Sequence, residues 1–147
     1  MRLPVHGKTI RSILTQCASL GTEKLSYLID TNILVDALRL KNEAVSFLKT
    51  LGEGNSIAAV TVTELFAGLR SEKQANNLNT LLDALVIRDF SRRHAELAGD
   101  YIRKYGKSHS VAFADAAIAA TAQVDGLRLI TLNTKHFPMF PGLKKPY

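Results

Sequence analysis

Ser26-Tyr-Leu-Ile-Asp30-Thr-Asn32 is a short apolar run that stops at a carboxylate. The run is too brief for a helix face and is closed by residues that favour caps and turns, so it reads as a strand. The chain alternates outward from it. Short apolar runs return at 56–60, 85–87 and 127–130, and helical spacing of apolar residues occupies 42–51, 63–70, 74–85, 92–105 and 112–124. Near-continuous apolar strands joined by helices are buried on both faces, and right-handed crossovers then make the sheet parallel. The expected fold is α/β, an α/β/α sandwich around a central, mainly parallel sheet of four to five strands. Residues 138–147 hold three of the four prolines and supply at most an edge strand.

A chain of 147 residues suits a single core. Residues 26–147 form one domain in this reading, and residues 1–25 are an appended extension. Ile10, Ile13, Leu14, Cys17 and Leu20 follow helical spacing there, between Thr9 and Gly21 as start and stop. No window approaches the roughly 18 consecutive apolar residues of a membrane span, so no membrane role is expected. The single cysteine cannot form an intrachain disulfide, which suits a reducing cytoplasm. The net charge of +6 favours polyanions such as nucleic acid, and half of the excess falls where Arg2, Lys8, Arg11 and Lys24 face only Glu23.

Ligands of an open parallel sheet bind beyond the carboxyl ends of its strands. Asp30 ends the first strand, Glu64 follows the second by four residues, Asn133 follows the last, and Asp115 lies near the start of an alanine-rich helix. All four are therefore expected at one rim. Carboxylates without a His or Cys partner suit Mg²⁺ or Mn²⁺ better than Zn²⁺. Such an ion activates water and neutralises charge on a phosphodiester. Each acid also has a structural reading: Thr61-Val-Thr-Glu64 matches a capping box, Asp30 can cap a helix running to Leu38, and Asp115 can serve as a cap or ion-pair partner. Asp36, Asp83, Asp89 and Asp125 read as solvated positions. His94, His109 and His136 lack metal-ligand spacing and read as structural or surface residues.

Four motifs in order resemble one family. Tyr-Leu-Ile-Asp30-Thr-Asn32, Thr-Val-Thr-Glu64-Leu-Phe-Ala-Gly-Leu, Phe-Ala-Asp115-Ala-Ala-Ile-Ala-Ala-Thr-Ala and Leu-Ile-Thr131-Leu-Asn133-Thr-Lys-His-Phe resemble the PIN-domain ribonucleases, and more closely the VapC toxins of type II toxin–antitoxin pairs. The resemblance implies a Mg²⁺- or Mn²⁺-dependent endoribonuclease acting on RNA, held inactive by a VapB-like antitoxin and paired as a homodimer. By matched position, Asp30, Glu64 and Asp115 hold the metal, Asn133 takes a fourth catalytic position, and Thr131 and Asn32 support them. Asn133 stands where many members have Asp, so one ion is expected to bind firmly and a second weakly. Leu34, Leu38, Phe47 and Leu48 are candidates for dimer or antitoxin contacts, with core packing as the other reading. Members commonly begin just before the first strand, which makes Leu25 an alternative translation start.

Other chemistries on such a sheet fit less well. A haloacid-dehalogenase-type site needs an Asp where Asn32 stands, a receiver domain needs an acidic pair, and no glycine-rich phosphate loop is present. The non-enzyme reading is a PIN-like RNA-binding or scaffolding domain without catalysis.

Overall fold

β1 (Tyr27–Ile29) lies inside a parallel four-stranded sheet, with β2 (Ser56–Ala58) on one side and β4 (Arg128–Ile130) on the other. β3 (Val86–Arg88) completes the order β3-β2-β1-β4. The computed structural model describes residues 25–147. The helix expected between Thr9 and Gly21, and the question whether residues 1–24 are translated, fall outside the described residues. Leu28 pairs with Ser56 and with Leu129, while Ile57 pairs with Ile87. The chain thus builds the sheet outward from β1 through β2 to β3, then returns to the other side of β1. That reversal brings the carboxyl ends of β1 and β4 together, where ligands of such sheets bind.

Helices α1 (Thr31–Leu38), α2 (Asn42–Leu51), α3 (Ala59–Ala67) and α4 (Glu72–Leu82) follow the first two strands. α5 (Arg92–His109) and α6 (Phe113–Val124) separate β3 from β4. Strand side chains alternate between faces. Ile29, Ile57 and Ile130 meet Ile33, Leu34, Leu48, Leu65 and Leu78 in one core. Leu28 and Leu129 turn the other way, onto Ile118, Ala119, Ala122 and Phe137. Ala116 and Ala120 of α6 face Ala98 of α5 and Val111 in a third cluster. α6 is therefore buried on more than one side, and its alanines let sheet and helix approach closely. Among the described residues, no helix is long and apolar enough to cross a membrane.

Several boundaries differ from the sequence expectation. The strand expected over 56–60 ends at Ala58, and the helix expected to start at residue 63 begins at Ala59. Val60, Thr61 and Val62 have strand propensity, but Thr61 is fully buried, and Val60 and Val62 pack into opposite cores. Tertiary packing overrides so weak a preference. α4 starts earlier than expected because Ser71 Oγ accepts from Gln74 N at 3.2 Å, and it stops at Leu82. α5 runs through Gly106 to His109 and ends at Ser110, whose φ is 54°. β3 is an edge strand with Val86 and Ile87 exposed, so the expectation of burial on both faces fails there. No strand forms within 138–147, where the chain makes turns instead.

Candidate active site

Asp30 sits at the junction of β1 and α1 and serves both local and long-range roles. Its backbone N–H donates to Ile130 O at 2.9 Å, continuing the ladder with β4. Its Oδ1 accepts from Thr31 N at 2.7 Å, which caps α1 as one structural reading anticipated. Its Oδ2 accepts from Thr131 Oγ1 at 2.6 Å and from Asn32 Nδ2 at 3.0 Å. Asp30 is only 5% exposed. Burial raises its pKa to about 6; hydrogen bonds from Thr131 and Thr31 oppose the rise, and the charges of Asp115 and Glu64 add to it.

Thr131 and Asn32 brace that carboxylate. Thr131 is fully buried just past β4; its hydroxyl donates to Asp30 and accepts from Asn133 N at 2.9 Å and Asn32 Nδ2 at 3.2 Å. One donor and two acceptor positions are thereby all used. Asn32 also accepts from Leu132 N through Oδ1 at 3.3 Å, so α1 and the end of β4 are laced together behind Asp30.

Glu64 lies within α3 rather than in its first turn, because the helix starts at Ala59. The capping box expected at Thr61–Glu64 is therefore absent: Ala58 is the N-cap, and Thr61 sits inside the helix. Glu64 is exposed, and its Oε2 accepts from Thr31 Oγ1, which also lies 3.2 Å from Thr61 Oγ1. Asp115 occupies the first turn of α6, with its side chain 20% exposed. Its Oδ2 accepts from Ala112 N at 3.3 Å and is 3.1 Å from His136 Nδ1. Asn133 opens a 3-10 turn (Thr134–His136), and its carbonyl accepts from His136 N at 3.1 Å.

The structure thus joins Asp30, Asn32, Thr131 and Asn133 through direct bonds, and it puts Glu64 and Asp115 within electrostatic reach of Asp30. Among the described residues, no three of His, Cys, Asp and Glu close into a group spaced to hold a metal ion. The acids form an open rim. Its donor set of three carboxylate side chains still fits a hard divalent cation, which would also compensate the cost of ionising buried Asp30. Asp30, Glu64 and Asp115 are the residues that could hold one.

Two contributors were not singled out from sequence. Thr31 stands in the same motif as Asp30, and that adjacency was the available signal. His136 was read as structural or surface, since it lies 21 positions from Asp115 and only the fold makes them neighbours. The structural reading of His94 is confirmed: it is buried, with Nδ1 3.1 Å from its donor Ser91 N and Nε2 3.0 Å from Asp125 Oδ1. Asp125 is consequently a paired residue rather than a solvated one, and Asp36 likewise pairs with Lys41 at 2.6 Å. Leu34 and Leu48 are core, and Leu38 and Phe47 pack against the same core.

A groove of about 410 Å³ between α1, α3 and α4 reaches Glu64; Val35, Leu38, Leu65 and Leu69 line it with Arg39 and Arg70. A cavity of about 450 Å³ beside Gly52–Asn55 and Asp83–Leu85 is larger, but those loops enter β2 and β3 and carry none of the rim residues. Through Glu64 the smaller groove touches the rim.

The family model for the PIN domain matches residues 27–140. Ribonuclease VapC19 of Mycobacterium tuberculosis is 40% identical over 124 residues, covering 82% of this chain and 98% of its own length. Ribonuclease VapC10 of the same organism is 35% identical over 123 residues, covering 82% and 92%. A toxin–antitoxin complex from Klebsiella pneumoniae contains a chain that superposes with a TM-score of 0.72 at 33% identity, covering 82% of this chain and 98% of that one.

Proposed function

The chain belongs to the PIN-domain family, and from that premise we propose that it is an endoribonuclease, the toxin of a type II toxin–antitoxin module of the VapBC kind. The relatives named as ribonucleases and the neighbour solved as a toxin–antitoxin complex support this reading. The observation that carries it is Asp30: a buried carboxylate braced by Thr131 and Asn32 at the reversal of strand order, in the field of Glu64 and Asp115. A core carboxylate without a task would be a costly residue to bury beside two others.

In this proposal Asp30, Glu64 and Asp115 hold Mg²⁺ or Mn²⁺, and Asn133 supplies a neutral amide at the fourth position. The chemistry supplied by the ion when bound is activation of water and neutralisation of charge on the scissile phosphodiester. The protein's own part is positional. Thr131 and Asn32 fix one oxygen of Asp30, Thr31 holds Glu64, and the helix start beneath Asp115 adds backbone N–H groups that favour negative charge. Three acids rather than four suit one firmly held ion. The cognate VapB-like antitoxin is proposed to lie over the groove beside Glu64, the toxin to pair as a homodimer, and the site of action to be the cytoplasm.

Asp30→Asn and Asp115→Asn are the direct test. Wild-type protein is expected to cut total cellular RNA with Mn²⁺ and to arrest growth on induction, and each variant to lose both while keeping its far-ultraviolet circular dichroism. The open spacing of the acids favours one other reading, a PIN-like domain that binds RNA without cutting it. Wild-type protein that retains RNA intact in Mn²⁺ would decide for that reading.

A further inference from the structure

We infer that His136 is the positioning residue for Asp115: its Nδ1–H holds Asp115 Oδ2 and leaves Oδ1 for the cation. The inference rests on the metal-dependent reading above and adds a residue to it. The distance from Nδ1 to Oδ2 is 3.1 Å, and an ionised carboxylate can only accept, so Nδ1 carries the proton. The same Oδ2 takes Ala112 N at 3.3 Å. Among the described residues, no hydrogen bond reaches Oδ1. Two donors from different elements therefore fix one oxygen of Asp115, as Thr131 and Asn32 fix one oxygen of Asp30.

The turn that carries the imidazole is itself held from both sides. His136 N donates to Asn133 O at 3.1 Å, tying it to the fourth position of the rim. Phe137, the next residue, is 1% exposed and packs with Ile118 of α6, so the turn cannot lift away from the helix that carries Asp115. The His136 side chain remains 36% exposed, which is more than a packing residue needs. A carboxylate that binds metal is commonly oriented by such a hydrogen bond, and loss of the bond weakens metal affinity about 10- to 100-fold.

The test is Mn²⁺ binding to the full chain, by calorimetry, with thermal unfolding measured alongside. His136→Ala is expected to weaken binding at least about tenfold with little change in melting temperature. His136→Asn, whose Nδ2 can replace the Nδ1 donor, is expected to restore most of the affinity, and His136→Gln is not. In an Asp115→Asn background, His136→Ala is expected to have no further effect. Wild-type affinity in His136→Ala, or equal loss in His136→Ala and His136→Asn, would overturn the inference. Failure of the ribonuclease reading is seen separately, as wild-type protein that binds Mn²⁺ and leaves RNA uncut.

Discussion

Thr131 Oγ1 has one proton to donate, and it goes to Asp30. That bond and the one from Thr31 favour the ionised carboxylate, yet burial outweighs them and lifts the pKa from 3.8 to about 6. The folded state therefore binds the Asp30 proton more tightly than the unfolded state does. Its contribution to stability is fully present below about pH 4 and is lost as the pH rises through about 6, a change of up to about 3 kcal/mol. Urea unfolding of protein freed of metal by chelation should show wild type losing stability relative to Asp30→Asn across pH 4 to 7. A constant difference over that range would contradict the burial argument.

Packing sets tight limits on the elements. Ala119 of α6 is fully buried against the second core, so Ala119→Leu should overpack it and lower unfolding free energy by about 1–3 kcal/mol, read from the shift in urea midpoint. Much at this scale was legible. The spacing over 42–51 marked α2 to the residue, and Asp30 could be read as both a cap and a strand end. The start of α3 was not, because the strand propensity of Val60 carried the expected strand through residue 60, and only burial on two sides shows 59–62 to be helix. The error moved Glu64 into a capping box that does not form, although its place on the rim was anticipated. His136 was illegible as a partner of Asp115 for a different reason: hydrogen bonds across the fold leave no local periodicity.

The whole molecule carries its charge unevenly. Three acids converge on one rim while the net charge is +6, so the rest of the surface is more basic than the sum suggests. If RNA is held by that surface, cleavage-dead Asp115→Asn protein should bind single-stranded RNA with strong salt dependence. Three phosphate contacts would cost about 20-fold in affinity between 50 and 200 mM KCl, measurable by fluorescence anisotropy. An affinity that ignores salt would place recognition elsewhere than in charge.

The pairing of β1 with β4 also sets an order of events during synthesis. Asp30 and its hydroxyl donor stand 101 positions apart, and β2, β3 and five helices lie between α1 and β4. A ribosome that has not yet reached Thr131 holds a nascent chain whose key carboxylate lacks the Thr131 hydroxyl and whose first strand has no β4 to pair with. The earlier elements can emerge and begin to pack, but the rim is completed last. A rim built this way cannot be complete until the chain has been extended through Thr131, 101 positions beyond the carboxylate it braces.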